Sequence, residues 1–112
     1  MRVGSVLDGV ELTVHKISRA DVGDVDAGQP LTWTFLDFEA PDERREQLAE
    51  ALSAALVPAG GWYCDFRNAD ETFVVFSGRI FRYPRGDPRG RAEAEEYARS
   101  VGVPEAQLDW PQ

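Results

Sequence analysis

Hydrophobic and polar residues alternate in the first part of the chain with the period of a half-buried β-strand. Val10, Leu12 and Val14 alternate with polar neighbours, and the aromatic-rich segment 31–40 also has the composition of a strand. Segment 19–30, which lies between them, is rich in Asp and Gly and is typical of a loop. The pattern therefore predicts two strands joined by a loop.

The second of these strands is apolar on both sides. Trp33 and Phe35 fall on one side, whereas Leu36 and Phe38 fall on the other. A strand with apolar residues on both sides is typical of a position near the centre of a sheet. We therefore expect this strand to be covered on both faces.

The period then changes to that of an amphipathic helix. Leu48, Leu52 and Leu56 recur every four residues within segment 41–56, and charged residues occupy the opposite side. Pro41 suits the first helical turn, where its missing N–H has no intrahelical partner to lose. The sequence therefore predicts a helix that packs on the core through a stripe of leucines.

Three short strands and a second helix are predicted in the C-terminal half. The strands are residues 62–67, 71–77 and 79–84, and each is separated from the next by residues typical of a tight turn. A helix over 88–101 follows, because an Asp-Pro pair precedes it and a Gly stands where a left-handed residue ends helices. We expect Trp110, beyond this helix, to pack back on the body of the protein.

The order of the predicted elements is β-β-α-β-β-β-α. It indicates an α+β fold with a mostly antiparallel sheet of about five strands and two helices on one face. The length of 112 residues predicts that residues 1–112 form a single domain.

The charge and composition narrow the classes of function. Twenty acidic residues against twelve basic ones give a net charge of −8, which disfavours nucleic-acid binding. No run of about 18 apolar residues is present, so we expect no membrane span, and Asp8 and Glu11 interrupt any signal peptide. The single cysteine, Cys64, fits a reducing cytoplasm.

The candidates for catalysis are few. His15 is the only histidine, and it lies on the polar side of the first strand, where a surface role is the expected one. Cys64 alternates with Trp62 and Phe66, which favours a small buried hydrophobe over a nucleophile, and His15 is its only available partner base. We therefore predict no catalytic residues, no metal site and no cofactor.

An alternation of arginine and aromatic residues in the predicted C-terminal strands is the main candidate for a ligand site. Segment 79–91 contains five Arg and one Asp, and guanidinium groups bind carboxylates and phosphates and stack on rings. The alternative is that Asp65 or Asp87 pairs with these arginines within the chain and that the aromatic rings cover the core. The candidate residues are Tyr63, Asp65, Arg67, Arg79, Arg82, Tyr83 and Arg85.

Four motifs in the C-terminal half carry a resemblance to a known group. They are WYCDF at 62–66, VVFSGR at 74–79, FRYPRGD at 81–87 and GVPEAQLDW at 102–110. In these motifs the chain resembles a group of small uncharacterised actinobacterial proteins. The resemblance covers about the C-terminal half and implies no reaction and no cofactor.

The leading hypothesis for function is a non-enzymatic cytoplasmic interaction protein, of the immunity or inhibitor type, that binds a basic protein partner. Small acidic domains associate rapidly with cationic partners because their field steers the encounter. The acidic partner face would consist of Asp21, Asp24, Asp26, Asp37, Glu39 and Asp42. The alternatives are an anionic small molecule bound on the Arg–aromatic face, and a homodimer formed through a strand edge or the Trp110 segment.

Overall fold

A computed structural model describes residues 12–21, 32–58 and 61–111 of the chain. The strands are β1 (Thr13–Asp21), β2 (Thr32–Glu39), β3 (Tyr63–Arg67), β4 (Glu71–Phe76) and β5 (Arg79–Pro84). The helices are α1 (Arg45–Ala55) and α2 (Pro88–Ser100), and the 3-10 turns Asp42–Arg44 and Glu105–Gln107 precede α1 and follow α2. The α+β class and the order β-β-α-β-β-β-α are confirmed.

The five antiparallel strands lie in two sheets, whereas a single sheet was the expected arrangement. β1 pairs with β2 in a two-stranded sheet, and β3, β4 and β5 form a three-stranded sheet in that order. The two-stranded sheet joins the rest of the protein by side-chain packing, because Phe38 and Ala40 contact the core beside α1. Side chains rather than a shared backbone ladder therefore connect the sheets in the described part of the chain.

The two helices cover opposite faces of the three-stranded sheet. In β4, Phe73 and Val75 belong to the core that includes α1, whereas Val74 and Phe76 belong to the core that includes α2. Successive side chains of a strand point to opposite faces. This arrangement differs from the expected one, with both helices on one face, and it explains why β4 is apolar throughout its centre.

The leucine stripe of α1 packs on the sheet as predicted. Leu48 and Leu52 are buried, and Leu56 packs against the same cluster while remaining partly exposed. The helix itself begins at Arg45, because residues 42–44 form a 3-10 turn first. Ser53 Oγ donates a buried hydrogen bond of 2.7 Å to the carbonyl oxygen of Phe76 and ties α1 to β4.

The boundaries and packing of α2 also follow the prediction. Asp87 caps the helix, since its Oδ1 accepts a hydrogen bond of 3.1 Å from the amide of Arg89. Gly102 has a φ of 89° at the end of the helix, a conformation that favours glycine. Trp110 is 3% exposed, so the C-terminal segment packs back on the body.

The first strand extends further along the chain than residues 9–18, over which the alternation predicts it. β1 spans Thr13–Asp21, so residues 19–21 belong to a strand although their composition indicates a loop. Pairing with β2 continues through Ala20 opposite Trp33, which extends the ladder past the apolar residues. The predicted strand residues 9–11 and the loop residues 22–30 lie outside the described part of the chain.

Candidate functional site

The strand register brings most of the predicted Arg–aromatic site onto one face. Tyr63 lies opposite Phe76, which lies opposite Arg79, and Arg67 lies opposite Thr72, which lies opposite Tyr83. Asp65 alternates between Tyr63 and Arg67 and shares their face. Arg82 pairs in register with Phe73 and therefore lies on the other face, beside α1.

The face that contains these residues is covered by α2 and by the C-terminal segment. Tyr83 is buried, and its hydroxyl accepts a hydrogen bond of 2.8 Å from Nε1 of Trp110. The Tyr63 hydroxyl donates to the carbonyl oxygen of Gln107, and the ring of Tyr63 meets Trp110 edge-on at 5.4 Å between centroids. The aromatic rings of the predicted site therefore belong largely to the core.

The partial burial of this face perturbs two of its titratable groups. Burial raises the pKa of the Asp65 carboxyl, although the charge of Arg67 acts in the opposite direction. Burial and the nearby Asp109 carboxylate raise the pKa of the Tyr63 phenol well above its ordinary value. Burial thus shifts both protonation equilibria toward the neutral form, and the Tyr63 hydroxyl acts as a hydrogen-bond donor.

Three arginines of the predicted site, Arg79, Arg82 and Arg85, are engaged by groups of the same chain. Arg82 donates to both carboxylate oxygens of Glu71 and, at 2.8 Å, to Oε1 of Glu46, and this pairing lowers the pKa of Glu71. The guanidinium carbon of Arg79 lies 4.9 Å from the centroid of the Phe81 ring. Arg85 donates to the carbonyl oxygen of Asn68 at 3.2 Å.

The predicted acidic partner face is only partly described. Asp37 and Glu39 lie at the end of β2, and Asp42 follows in the 3-10 turn; all three are exposed. Asp21 ends β1, and Asp24 and Asp26 lie outside the described residues.

An exposed phenylalanine accompanies these carboxylates and was not predicted. Trp33, Phe35, Asp37 and Glu39 alternate along β2 and share one side of the strand, which we call the β2 face. Phe35 is 38% exposed, and its ring lies 6.1 Å from that of Trp33, which in turn packs at 4.9 Å on Trp62. The β2 face therefore combines an exposed aromatic ring with two exposed carboxylates.

The opposite side of the same two-stranded sheet is apolar and exposed. Ile17 is 66% exposed and lies opposite Leu36 in the register, and Val14 is 44% exposed and lies opposite Phe38. A β-bulge at His15 separates these two pairs, and Nε2 of His15 lies 3.4 Å from Oε2 of Glu39. Both sides of this sheet thus present apolar groups to solvent.

Cys64 is placed as a small hydrophobe, as predicted. It packs against the cluster that contains Leu48, Leu52 and Phe73, on the α1 side of the sheet. Burial raises the pKa of the Cys64 thiol to about 12, so little thiolate forms at neutral pH. This environment is that of a structural cysteine.

Searches against protein-family models, curated proteins and solved structures find no match to this chain. Among the described residues, no helix is both long enough and apolar enough to cross a lipid bilayer. The same residues include no group of three or more His, Cys, Asp or Glu side chains arranged to hold a metal ion.

Proposed function

We propose that the protein is a non-enzymatic interaction protein that binds a basic protein partner through the β2 face. The observation that carries the proposal is the exposure of Phe35 on the same side of β2 as Asp37 and Glu39. An aromatic ring with a polar surround is the arrangement found at the energetic centre of protein interfaces. The carboxylates beside it select a partner of positive charge.

The charge of the whole chain supports a basic partner. The net charge is −8, and Arg82, Arg91 and Arg99 are paired with carboxylates of the same chain. A negative field of this kind accelerates association with a cationic protein, and salt screens the effect. Rapid steered binding fits an inhibitor or immunity role in the cytoplasm, where the single cysteine would stay reduced.

A positive charge on β1 partly offsets the negative charge of the β2 face. Lys16 lies directly opposite Asp37 in the register, and His15 approaches Glu39. Removal of the lysine charge should therefore strengthen binding of a basic partner. We expect Lys16→Gln to slow dissociation or speed association, whereas a partner that is not basic would show neither change.

The proposal is tested by capturing partners from the native host with the purified chain at low and at high salt. Wild-type protein should retain a basic protein that high salt releases, and Phe35→Ser and Asp37→Lys should each reduce its recovery at least tenfold. Glu93→Lys, an exposed charge reversal on α2, is the matched control and should bind normally. Equal recovery with all four proteins would refute the proposal.

Self-association is a second candidate, and the exposure of Val14 and Ile17 favours it. A two-stranded sheet with exposed apolar side chains can pair with a second copy through its edge. Light scattering distinguishes the two cases, because a dimer formed in this way should dissociate in an Ile17→Lys variant. A monomer at high protein concentration would leave only the hetero-partner.

A further inference from the structure

A groove of about 280 Å³ lies where the end of β2, the start of α1 and the β3–β4 turn meet. Phe38, Phe66 and Phe73 provide apolar walls, and Glu39 and Asp42 provide carboxylates. The volume corresponds to roughly nine water molecules at about 30 Å³ each, which is room for one long side chain. Two residues of the predicted acidic partner face therefore line an aromatic groove.

A row of stacked planar groups crosses the three-stranded sheet and ends at this groove. Phe66, Phe73 and Arg82 are register neighbours on the α1 side of β3, β4 and β5. The two rings are stacked at 4.6 Å with an interplanar angle of 10°, and the guanidinium carbon of Arg82 lies 5.1 Å from the Phe73 centroid. Since β3 is an outer strand of its sheet, Phe66 is the terminal member of the row.

The far end of the row shows how the protein holds a guanidinium group. Arg82 stacks on Phe73 while its nitrogens donate to the carboxylates of Glu46 and Glu71. The groove end offers the same two kinds of component, namely the Phe66 ring and the carboxylates of Glu39 and Asp42, and no guanidinium of the row stacks on the outer side of Phe66. Ring stacking and carboxylate pairing are the two interactions that favour arginine over lysine.

We propose that this groove binds an arginine side chain of the basic partner, with the guanidinium stacked on Phe66 and paired with Glu39 or Asp42. The inference rests on the proposed function, because it specifies which basic side chain the partner inserts beside the β2 face.

A hydrogen bond from Asn68 holds the Asp42 carboxylate in place at the groove. Asn68 Nδ2 donates to Asp42 Oδ1 at 2.8 Å, while Asn68 Oδ1 accepts from the amides of Asp70 and Glu71 at 2.9 and 2.7 Å. These contacts hold the start of α1 against the β3–β4 turn. Glu39 contributes a second carboxylate whose side chain is 78% exposed and whose Oε2 lies 3.4 Å from Nε2 of His15.

Two arginines of the chain also line the groove, and their charge opposes a cationic ligand. Arg45 Nη1 donates to the carbonyl oxygen of Asp42 at 3.0 Å, and Arg45 Nε lies 3.8 Å from Glu71 Oε1. The charge of Arg67 acts on Asp65, where it partly offsets the rise in pKa that burial causes. Arg45 Nη1 also lies 3.7 Å from Asp42 Oδ2, so an incoming guanidinium would share Asp42 with Arg45. Glu39, whose side chain is 78% exposed, is the second carboxylate that can offset its charge.

The test is a titration of the isotope-labelled full chain with N-acetyl-arginine amide, followed by amide NMR shifts. We expect saturable shifts at Ala40, Asp42, Phe66 and Asn68. The neutral isostere N-acetyl-citrulline amide should bind at least tenfold more weakly. Equal binding of the two compounds, or binding at these amides by benzoate instead of the arginine compound, would overturn the inference.

Two isosteric variants complete the test. Glu39→Gln and Asp42→Asn remove a charge while keeping shape, and the second retains an oxygen that can accept from Asn68. Together they should weaken the arginine probe at least tenfold, whereas Glu93→Gln on α2 should leave it unchanged. Loss of probe binding in the control as well would count against the groove. A captured partner that the double variant binds normally would overturn the groove inference and leave the proposed function standing.

Discussion

The Asp65 carboxyl lies on the covered face of the three-stranded sheet, beside Arg67, Asp109 and Arg91. Burial raises the pKa of Asp65, because the ionised carboxylate is desolvated in the folded protein. The same carboxylate is hydrated in the unfolded chain, so ionisation destabilises the folded state relative to the unfolded one. The unfolded chain therefore releases the proton at lower pH than the folded one, and the native state loses stability as pH rises from about 4 through the raised pKa.

Asp65→Asn should consequently raise the thermal unfolding midpoint at pH 7, because the amide has no charge to desolvate. The gain should shrink at pH 3, where Asp65 is protonated in both states. Thermal melts of the wild-type and Asp65→Asn proteins at both pH values measure this gain. Asp70→Asn, at an exposed position, is the control and should not show the gain. The same difference at pH 3 and pH 7 would contradict the electrostatic cause.

Cys64 offers a second test at the scale of one residue. With a pKa of about 12 and packing against the α1 core, its thiol should react with a thiol reagent at pH 7 more than about a hundredfold more slowly than in denatured protein. A disulfide reagent releases a coloured thiolate when it reacts, and the absorbance of that product measures the rate. A native rate within tenfold of the denatured rate would restore Cys64 as a candidate nucleophile.

At the scale of elements, the sequence specified local structure better than the arrangement of layers. The period of Leu48, Leu52 and Leu56 predicts a helix and its buried side without reference to other elements. The apolar run 73–76 indicates burial on both sides of β4, yet it does not identify what covers each side. That assignment depends on which way the chain turns after α1 and after β5, and residue patterns carry little information about such turns.

Because α2 packs closely on β5, we expect a glycine-to-alanine substitution in this helix to lower stability, whereas it ordinarily raises the stability of a helix. A Cβ atom at Gly90 would lie 2.4 Å from Cβ of Tyr83. Gly90→Ala should therefore destabilise the fold by about 1–2 kcal/mol, because overpacking outweighs the roughly 1 kcal/mol that alanine ordinarily adds to a helix. Denaturant unfolding measures the change, and a gain in stability would show that α2 is not seated so closely.

The exposed position Ala92 in the same helix is the control for that experiment. Ala92→Gly should cost about 1 kcal/mol through helix propensity alone. Glycine would thus be the more stable residue at position 90 and alanine the more stable residue at position 92 of the same helix. The contact with Tyr83 explains the preference for glycine at position 90.

Arg91, in α2, binds the C-terminal segment through hydrogen bonds to its backbone. Its Nη1 donates to the carbonyl oxygen of Trp110 at 2.8 Å, its Nη2 donates to that of Leu108 at 3.3 Å, and its Nε pairs with Glu95 at 2.7 Å. Arg91→Lys should destabilise the protein by about 1–2 kcal/mol, because an ammonium group cannot make this set of bonds.

The same substitution should accelerate hydrogen exchange of amides in segment 103–110 about tenfold. Arg89→Lys, in the exposed first turn of α2, is the matched control and should leave exchange unchanged. Unaltered exchange in Arg91→Lys would mean that the other contacts of the segment, such as those of Trp110 with Tyr83 and of Gln107 with Tyr63, hold it without Arg91.

At the scale of the whole molecule, the arrangement of charges could be predicted only in part. The excess of acids is evident in the sequence, and it supports a basic partner. Pairing of the arginines within the chain is among the expectations, but Glu46 could not be identified as a partner of Arg82, because it is 36 residues away along the chain. Only the packing of α1 on the sheet brings them together.

The exposure of Phe35 could not be read from the sequence for a similar reason. An apolar residue on a two-sided strand is expected to be covered, and the strand would indeed be covered within a five-stranded sheet. Because β1 and β2 form a sheet of their own, Phe35 remains exposed beside Asp37. The proposed interaction face thus depends on the separation of the two sheets.

Site-specific photo-cross-linking tests the β2 face most directly. A benzophenone analogue of phenylalanine at position 35 should form an adduct with a basic protein in host lysate, and the yield should fall as salt rises. The same analogue at Ala92, on the exposed side of α2, should give no such adduct. Adducts at position 92 but not at position 35, or none at either position, would contradict the account.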